Sequence, residues 1–299
     1  MRPVYKIMFF VSMALTVLAI VLIAAFGLRF GIDFKGGSAM EVVFSKRPPS
    51  DDISKVISSI PGVKNVSVSP VGGNGAIIRL NDVNEQTHQN VLAVMASKFG
   101  KTTESRFDSI GPTIGNELRQ KSIVSIIILL LAVVIYIAIV FRKLSKILSP
   151  WAIGIAAVVA LIHDVLIPTG VFAYLGHYHG IEVSGVFVAA ALTILGYSIS
   201  DSVVVFDRVR ENVLRFGGRE NFGELVHKSV MQTLVRSINT TLATLLSIIA
   251  IFFFGGESIK YFSLALIMGI LAGAYSSIFI ASPILIWWSG RGKGNSRGR

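Results

Sequence analysis

Three ionisable side chains lie inside long apolar stretches of the sequence and are the residues best placed to do chemistry. His163 and Asp164 are adjacent in one stretch, and Asp201 lies in the next. An ionisable side chain within a membrane span costs about 2.5–3.5 kcal/mol on insertion scales, and by default it marks an ion pathway or a proton relay. A structural role would usually use Ser, Thr or Gly. We therefore interpret Asp201 as a proton carrier.

For His163 and Asp164, a relay and a structural ion pair are both open. Neighbouring residues of a helix point about 100° apart, so at most one of the two faces the same site squarely. We keep both residues as candidate members of a proton relay with Asp201.

Arg236 and a belt of polar side chains are expected to surround Asp201. Arg236 begins the next apolar segment, which runs back across the membrane, so its guanidinium is predicted to meet the Asp201 carboxylate at similar depth. Burial favours a protonated carboxylate and an adjacent cation favours an ionised one, so movement of Arg236 would switch proton affinity. The supporting belt consists of Tyr197, Ser198, Ser200 and Ser202 on one segment, and Asn239, Thr240, Thr241 and Thr244 on the other.

Other kinds of site are less well supported. His177, His179 and Glu182 resemble a metal clip, but three ligands from one short loop are weak evidence, and a solvated loop is the preferred interpretation. Cysteine is absent, which excludes thiolate sites. The glycine pairs lack the context of a phosphate-binding loop. We predict no metal, no cofactor and no enzymatic activity. Because the sequence shows no ATP site, energy must come from an ion gradient or from a partner.

The composition is that of a membrane protein. The 299 residues are 53% hydrophobic and only 15% charged, whereas a soluble domain normally carries about a quarter charged residues. The formal charge of +11 does not predict nucleic-acid binding, because the basic residues sit in short loops where they orient helices. Membrane lipid is the expected surrounding partner.

Six apolar segments are long enough to cross a bilayer of about 30 Å. Basic residues cluster before the first segment, at 142–146, within 207–237 and after 289, whereas the short loops of the opposite side contain only Lys260. Both termini are therefore predicted to be cytoplasmic. The first segment is too long for a signal peptide and is expected to be retained. The segments are Ile7–Phe26, Ile123–Phe141, Trp151–Leu175, Val183–Phe206, Ile238–Gly255 and Tyr261–Ser289.

The spans divide the chain into four parts. Residues 1–28 form the cytoplasmic N-terminus and the first helix, 29–122 an extracytoplasmic domain, 123–289 helices two to six, and 290–299 a basic cytoplasmic tail. Within the third part, 207–237 is a cytoplasmic linker that reads as helix, Gly217–Gly218 break and helix. An amphipathic helix lying on the membrane is the preferred interpretation, and packing under the bundle is the alternative.

The extracytoplasmic segment predicts the element order β-α-β-β-α-β of a ferredoxin-like unit. Strands are expected at Ser38–Phe44, Val63–Ser69, Ala76–Leu80 and Thr102–Ile110, and helices at Ser50–Ile60 and Asn84–Phe99. His88 lies on a polar helix and is expected to be solvated. The predicted fold class is thus a membrane all-α six-helix transmembrane bundle with an inserted α+β ferredoxin-like extracytoplasmic domain.

Five ordered motifs resemble those of the SecD/SecF family of protein-export membrane proteins, within the resistance–nodulation–division superfamily. Residues 31–37 (GIDFKGG) follow the first helix, and residues 110–118 (IGPTIGNEL) precede the second. His163–Asp164 lies in the third helix, residues 196–212 (GYSISDSVVVFDRVREN) occupy the fourth, and residues 236–241 (RSINTT) open the fifth. Ser200 and Ser202 replace the Asn and Thr that are commoner in the family.

The resemblance implies a role in protein export across the bacterial cytoplasmic (inner) membrane. Two six-helix halves form the working unit, and SecD would supply the half that this chain lacks. The pair would associate with the SecYEG channel, with YajC and YidC as further candidate partners, and would use the proton gradient to draw the exported preprotein across. The resemblance makes Asp201 the proton carrier and Arg236 its partner. It implies a structural elbow for Gly31, Asp33, Gly36 and Gly37.

Two alternatives remain open at this level. The first is a proton-driven exporter of lipids or drugs from the same superfamily, although such proteins usually carry both halves and two large outer domains on one chain. The second is a structural scaffold of the channel. A scaffold would tolerate Asn at position 201, whereas a transporter would not.

Overall fold

A computed structural model describes residues 3–142, 149–216 and 220–294. Its elements in chain order are α1 Pro3–Phe26, α2 Ile32–Lys35, β1 Gly37–Phe44, α3 Ser50–Ser58, β2 Ser67–Val71, β3 Gly75–Leu80, α4 Glu85–Phe99, β4 Thr102–Ile110, α5 Pro112–Val140, α6 Pro150–His179, α7 Gly185–Phe216, α8 Phe222–Phe254, α9 Glu257–Ser276, a π-helical turn Ser277–Ala281, and α10 Ser282–Gly294.

The chain forms two compact units. A helical unit comprises Met1–Gly27, Ser125–Tyr174 and Phe187–Arg299, and an α+β unit comprises Leu28–Val124 and Leu175–Val186. The α+β unit thus includes the short segment between α6 and α7 as well as the residues between the first two long helices.

Six helical stretches of the described chain are long and apolar enough to cross a membrane: α1, α5, α6, α7, α8 and the α9–α10 stretch Ile259–Ser289. The prediction of six spans is therefore confirmed. The helices extend beyond the predicted apolar segments, most of all α5, which begins at Pro112, α7, which runs on to Phe216, and α8, which begins at Phe222. Hydrophobicity marks only the part of a helix that lies in lipid, so the polar continuations were invisible to that criterion.

The linker 207–237 does not form a separate helix, so the interpretation of an amphipathic helix lying on the membrane is wrong. Its two described arms are continuations of α7 and α8. Leu225 and Val226 are 2% and 0% exposed and belong to the same buried cluster as Val209, Val213 and Leu285. The apolar stripe therefore packs against the bundle, which is the alternative. The expected Gly217–Gly218 break lies outside the described residues, as do the tail residues after 294.

The α+β unit has the predicted ferredoxin-like topology. Its four strands form one antiparallel sheet in the order β2-β3-β1-β4. Alternate residues of the central strands, such as Met40, Val42 and Ile78, are buried together with the apolar faces of α3 and α4. The largest difference from the predicted bounds is at β2, which spans Ser67–Val71 instead of Val63–Ser69.

His88 is buried, so the expectation of a solvated side chain is wrong. Its side chain stacks on Phe107 with ring centroids 3.8 Å apart and planes 6° apart. Its Nε2 atom lies 2.7 Å from Oε1 of Glu104. His88 precedes Val91 by three positions and Met95 by seven, so it lies on the buried stripe of α4. The polar residues around it in the sequence concealed that position.

Candidate functional site

The site is built where α9 packs closely on α7. A Cβ atom added at Gly269 would lie 2.2 Å from Cδ1 of Ile194, and one at Gly273 would lie 3.1 Å from Cβ of Ser198. The two glycines, spaced as in a GxxxG motif, therefore let the helix backbones approach. This close approach brings short side chains of α9 within reach of carboxylates on neighbouring helices.

Asp164 on α6 is completely enclosed, with 0% of its surface exposed. Its Oδ2 atom accepts hydrogen bonds from Oγ of Ser198 at 2.5 Å and from Oγ of Ser276 at 2.8 Å. Its Oδ1 atom lies 2.9 Å from Nδ1 of His163. Sequence reasoning placed His163 and Asp164 in the relay but missed Ser276.

Asp201 on α7 is 8% exposed. Its Oδ1 atom accepts a hydrogen bond from the hydroxyl of Ser237 on α8, and its Oδ2 atom accepts one from Oγ of Ser277 at 2.6 Å. Ser237 and Ser277 were not identified from the sequence as partners of Asp201, because a serine in an apolar helix is usually interpreted as a small packing residue. A signal was available for Ser237, which lies in the motif of residues 236–241.

Arg236 does not meet Asp201 in this structure, contrary to the prediction. The arginine side chain is exposed and forms no ion pair with a described residue. The following residue, Ser237, takes its place at the carboxylate. Consecutive helical residues point about 100° apart, so only one of these two neighbours can face Asp201 at a time.

The predicted polar belt divides into an inner and an outer part. Ser198 binds Asp164, and the hydroxyl of Tyr197 lies 3.2 Å from Oγ1 of Thr241. The outer part is exposed, with Ser200 on α7 and with Asn239 and Thr240 on α8, the helix that also carries Arg236. We call Arg236, Asn239 and Thr240 the exposed polar strip.

Two buried polar atoms near the carboxylates lack a hydrogen-bond partner among the described residues. They are Nε2 of His163 and Oγ of Ser202. A buried group without a partner costs about 1–3 kcal/mol, so an unpaired atom in a native structure calls for an explanation such as a water or a proton-transfer role. His163 thus keeps one ring nitrogen available while the other binds Asp164.

The glycine motif of residues 31–37, which follows α1, crosses the motif of residues 110–118 at close range inside the α+β unit. Gly36 has φ 75°, and a Cβ there would lie 2.7 Å from Cα of Pro112. A Cβ on Gly115 would lie 2.8 Å from the backbone nitrogen of Gly36. The two motifs that flank the unit therefore touch through their backbones, and neither position admits a side chain.

Asp33 and Gly37 complete this crossing. Oδ2 of Asp33 accepts a hydrogen bond from the backbone N–H of Gly185, the first residue of α7, at 2.6 Å. A carboxylate at a helix N-terminus is favourable because it complements the free N–H groups and the helix dipole. Gly37 has φ 127°, and a Cβ there would lie 2.7 Å from the carbonyl oxygen of Leu80.

Glu182, one of the residues of the suggested metal clip, is engaged elsewhere. It pairs with Arg79 at 2.8 Å and packs beside Gly31, where an added Cβ would lie 3.2 Å from its Oε2 atom. Burial raises the pKa of Glu182, and Arg79 partly offsets that effect. The described residues contain no group of three side chains that could hold a metal ion.

These features define the chain as a multi-pass membrane protein with a ferredoxin-like insertion and a buried ionisable centre. Family models of the C-terminal region of the protein export membrane proteins SecD/SecF and of the SecD/SecF GG motif match residues 90–291 and 21–46. The chain belongs to the SecD/SecF family, and its relatives place it among the SecF subunits.

Two of these relatives are the protein translocase subunits SecF of Thermobaculum terrenum and Anaerolinea thermophila. The first is 39% identical over 95% of this chain and 92% of its own length. The second is 37% identical over 94% and 91%. Both comparisons therefore extend over nearly the whole of each chain.

A solved structure supports the same fold. The crystal structure of SecDF, a translocon-associated membrane protein from Thermus thermophilus, matches with a TM-score of 0.84 and 32% identity over 96% of this chain. The present chain spans 38% of the length of that SecDF chain. A SecDF structure in a super-membrane-facing form matches with a TM-score of 0.68.

Proposed function

We propose that this subunit works with SecD to convert the proton gradient into movement that promotes preprotein translocation, with Asp201 as the proton carrier. The observation that supports the proposal is the pair of carboxylates buried among apolar helices. Asp201 is bound by two hydroxyls and has no cation at ion-pair distance among the described residues. A carboxylate bound only by neutral donors can be occupied by a proton or left ionised at moderate cost, as a carrier requires.

The exposed polar strip supports the proposed partnership with SecD. Arg236, Asn239 and Thr240 lie on an outward face of α8, the same helix whose Ser237 binds Asp201. Charged and polar side chains facing lipid are costly, so this face needs another protein or water beside it. The SecDF chain, of which the present chain matches 38%, has ample length for a second half that would cover it.

Arg236 is proposed to act as the switch in a second state of the bundle. A rotation of α8 by about 100° would exchange Ser237 for Arg236 at the Asp201 carboxylate. The guanidinium would then stabilise the ionised carboxylate and expel its proton. In this proposed cycle, the binding of Asp201 by Ser237 and Ser277 is the other of the two stages.

The proposed setting is the bacterial cytoplasmic (inner) membrane, with both termini in the cytoplasm and residues 29–122 outside. Basic residues on the loops that would face the cytoplasm support that orientation. The SecYEG channel, YajC, YidC and the exported preprotein are the proposed further partners. In this orientation α7 runs inward and delivers Asp201 toward the cytoplasmic side, where protons would be released.

The test is Asp201→Asn in vesicles that contain SecD and the channel. We expect normal accumulation and assembly but no increase of preprotein translocation when a proton gradient is applied. Asp52→Asn is the control, because it removes a carboxylate from the exposed surface of α3. Full gradient-dependent translocation by Asp201→Asn would favour the scaffold role and reject the carrier assignment.

A further inference from the structure

Two consecutive serines, Ser276 and Ser277, connect both buried carboxylates to one helix. Ser276 donates to Asp164 at 2.8 Å, and Ser277 donates to Asp201 at 2.6 Å. Both serines are 0% exposed. The carboxylates belong to α6 and α7, and the serines that bind them are consecutive at the junction of α9 and the π-helical turn. We call Ser276 and Ser277 the serine pair.

Each member of the serine pair has a second acceptor within reach. Oγ of Ser276 lies 3.2 Å from the carbonyl oxygen of Gly273, and Oγ of Ser277 lies 3.1 Å from that of Ala274. A hydroxyl carries one proton and two acceptor lone pairs. It can therefore donate to the carboxylate or to the helix carbonyl, but not to both at full strength.

This choice of acceptor fits the two protonation states of a carboxyl group. When the carboxylate is ionised, the serine hydroxyl donates to it. When a proton from water has formed the carboxyl O–H bond, that O–H donates to the serine oxygen, and the serine hydroxyl turns to the helix carbonyl. When the O–H bond breaks again the proton returns to water. No buried donor or acceptor is left without a partner in either state, which avoids the cost of an unpaired group.

We propose that the serine pair is the switchable donor of the proton site and couples Asp164 to Asp201. This inference rests on the proposed function. Because the two serines share one backbone segment, a shift of that segment changes the hydrogen bonds of both carboxylates together. Asp164 thereby becomes the second carboxyl of the site.

A π-helical turn, Ser277–Ala281, begins at the serine pair. The hydroxyl of Ser282 donates to the carbonyl oxygen of Ser277 at 3.0 Å, across this wide turn. Such turns occur mostly as single insertions in α-helices and are frequent at functional sites. Conversion of the turn to α-helix would rotate the serine pair by about 100° relative to α10, which is enough to withdraw both hydroxyls at once.

The charged surroundings of the two carboxylates are simple within the described residues. His163 on α6 faces Asp164 at 2.9 Å. On α8, Arg236 is exposed and Ser237 faces Asp201. No ion pair joins either carboxylate to α9 or α10 within the described chain. The hydroxyls are therefore the groups on the last span that can respond to protonation.

The experiment measures gradient-driven translocation against the pH of the cytoplasmic side, in vesicles that contain the complete chain, SecD and the channel. Ser277→Ala removes a hydrogen bond from both forms of Asp201, but the bond to the ionised form is about twice as strong as the bond to the neutral form. The ionised form therefore loses more, and the proton should be held about tenfold tighter. Release of the proton then needs a more alkaline cytoplasmic side. The profile of translocation against cytoplasmic-side pH should therefore shift to higher pH by about one unit. Ser276→Ala should move it in the same direction by less, because Asp164 keeps Ser198 and His163.

Two further variants separate this role from packing. Ser277→Cys keeps the shape of the side chain, with a slightly larger atom, but its S–H donates weakly, so it should shift the profile in the same direction. Ser263→Ala is the matched control, because Ser263 is 1% exposed on α9 and its hydroxyl, within the described part of the chain, bonds only to the carbonyl oxygen of Ile259, at 3.0 Å. Its profile should match that of the wild type.

The outcomes distinguish the two proposals. A wild-type system without gradient dependence would reject the proposed function itself. A gradient-dependent wild type whose profile superimposes on those of Ser277→Ala and Ser277→Cys would overturn the role of the serine pair alone. An equal shift in Ser263→Ala would likewise overturn it, since any loss of a buried hydroxyl would then have the same effect.

Discussion

The two buried carboxylates of the bundle differ in how completely protein atoms surround them. Asp164 is 0% exposed and has three partners, whereas Asp201 is 8% exposed and has two. A proton can reach a carboxyl group only if its surroundings can open. Under the proposed function, Asp201 would therefore be the carboxyl group that exchanges protons during the cycle, and Asp164 would mainly hold the donor network in place.

The largest effect after Asp201→Asn is expected at Arg236, which would sharpen the role of Asp201. In Arg236→Ala no guanidinium can displace the proton, so gradient-dependent translocation should be lost. Arg236→Lys should retain part of it, because the charge remains while the planar fork is lost. Translocation measured with SecD present checks both. Wild-type activity in Arg236→Ala would show that the arginine is not the switch.

Asp164→Asn tests the other side of the comparison. An amide can accept hydrogen bonds through its oxygen, but its NH₂ group would face groups that now donate hydrogen bonds to the carboxylate, such as the hydroxyls of Ser198 and Ser276. We expect gradient-dependent translocation to fall by about tenfold without disappearing, since a lost charge-assisted bond is worth about 1.5–3 kcal/mol. Thr169→Ala, on the same helix and bonded to a helix carbonyl, is the control. Complete loss in Asp164→Asn, equal to that of Asp201→Asn, would make the two carboxylates equivalent carriers.

His88→Ala is expected to have the smallest effect on transport. His88 is buried in the α+β unit and is not a partner of either buried carboxylate. His88→Ala removes the stack on Phe107 and the contact with Glu104, so the unit should lose about 2–4 kcal/mol of stability. Translocation at low temperature should stay near normal. Amide hydrogen exchange in α4 and β4 checks the loss, with the exposed Asn90→Ala as the control. Unchanged exchange in His88→Ala would contradict a structural role for the histidine.

Much of the fold could be predicted from the sequence, because its signals are local. Apolar length located the six spans, and alternation with helical periodicity located the four strands and two helices of the α+β unit. The prediction for the linker failed for a physical reason. An apolar stripe such as that with Leu225 and Val226 is the same whether a helix lies on lipid or on protein, and tertiary packing decides between them.

The candidate site was predictable only in part. The cost of an ionisable side chain in lipid identified Asp201, His163 and Asp164. Their partners depend on helix rotation and on contacts between residues far apart in the chain, such as the one between Asp201 and Ser277. For the same reason, the prediction was wrong by one residue on α8: Ser237, and not Arg236, contacts the Asp201 carboxylate. The Glu104 contact of His88 similarly required knowledge of where β4 lies.

Proton flux tests the central claim most directly. The measurement follows pH inside vesicles that contain the chain, SecD and the channel, while a preprotein translocates under an applied proton gradient. The account predicts that the wild-type protein moves protons together with preprotein. In Asp201→Asn, proton flux and preprotein translocation should both stay at the levels measured without a gradient. Equal proton flux in the wild type and in Asp201→Asn, at equal protein levels, would contradict the assignment of Asp201 as the proton carrier.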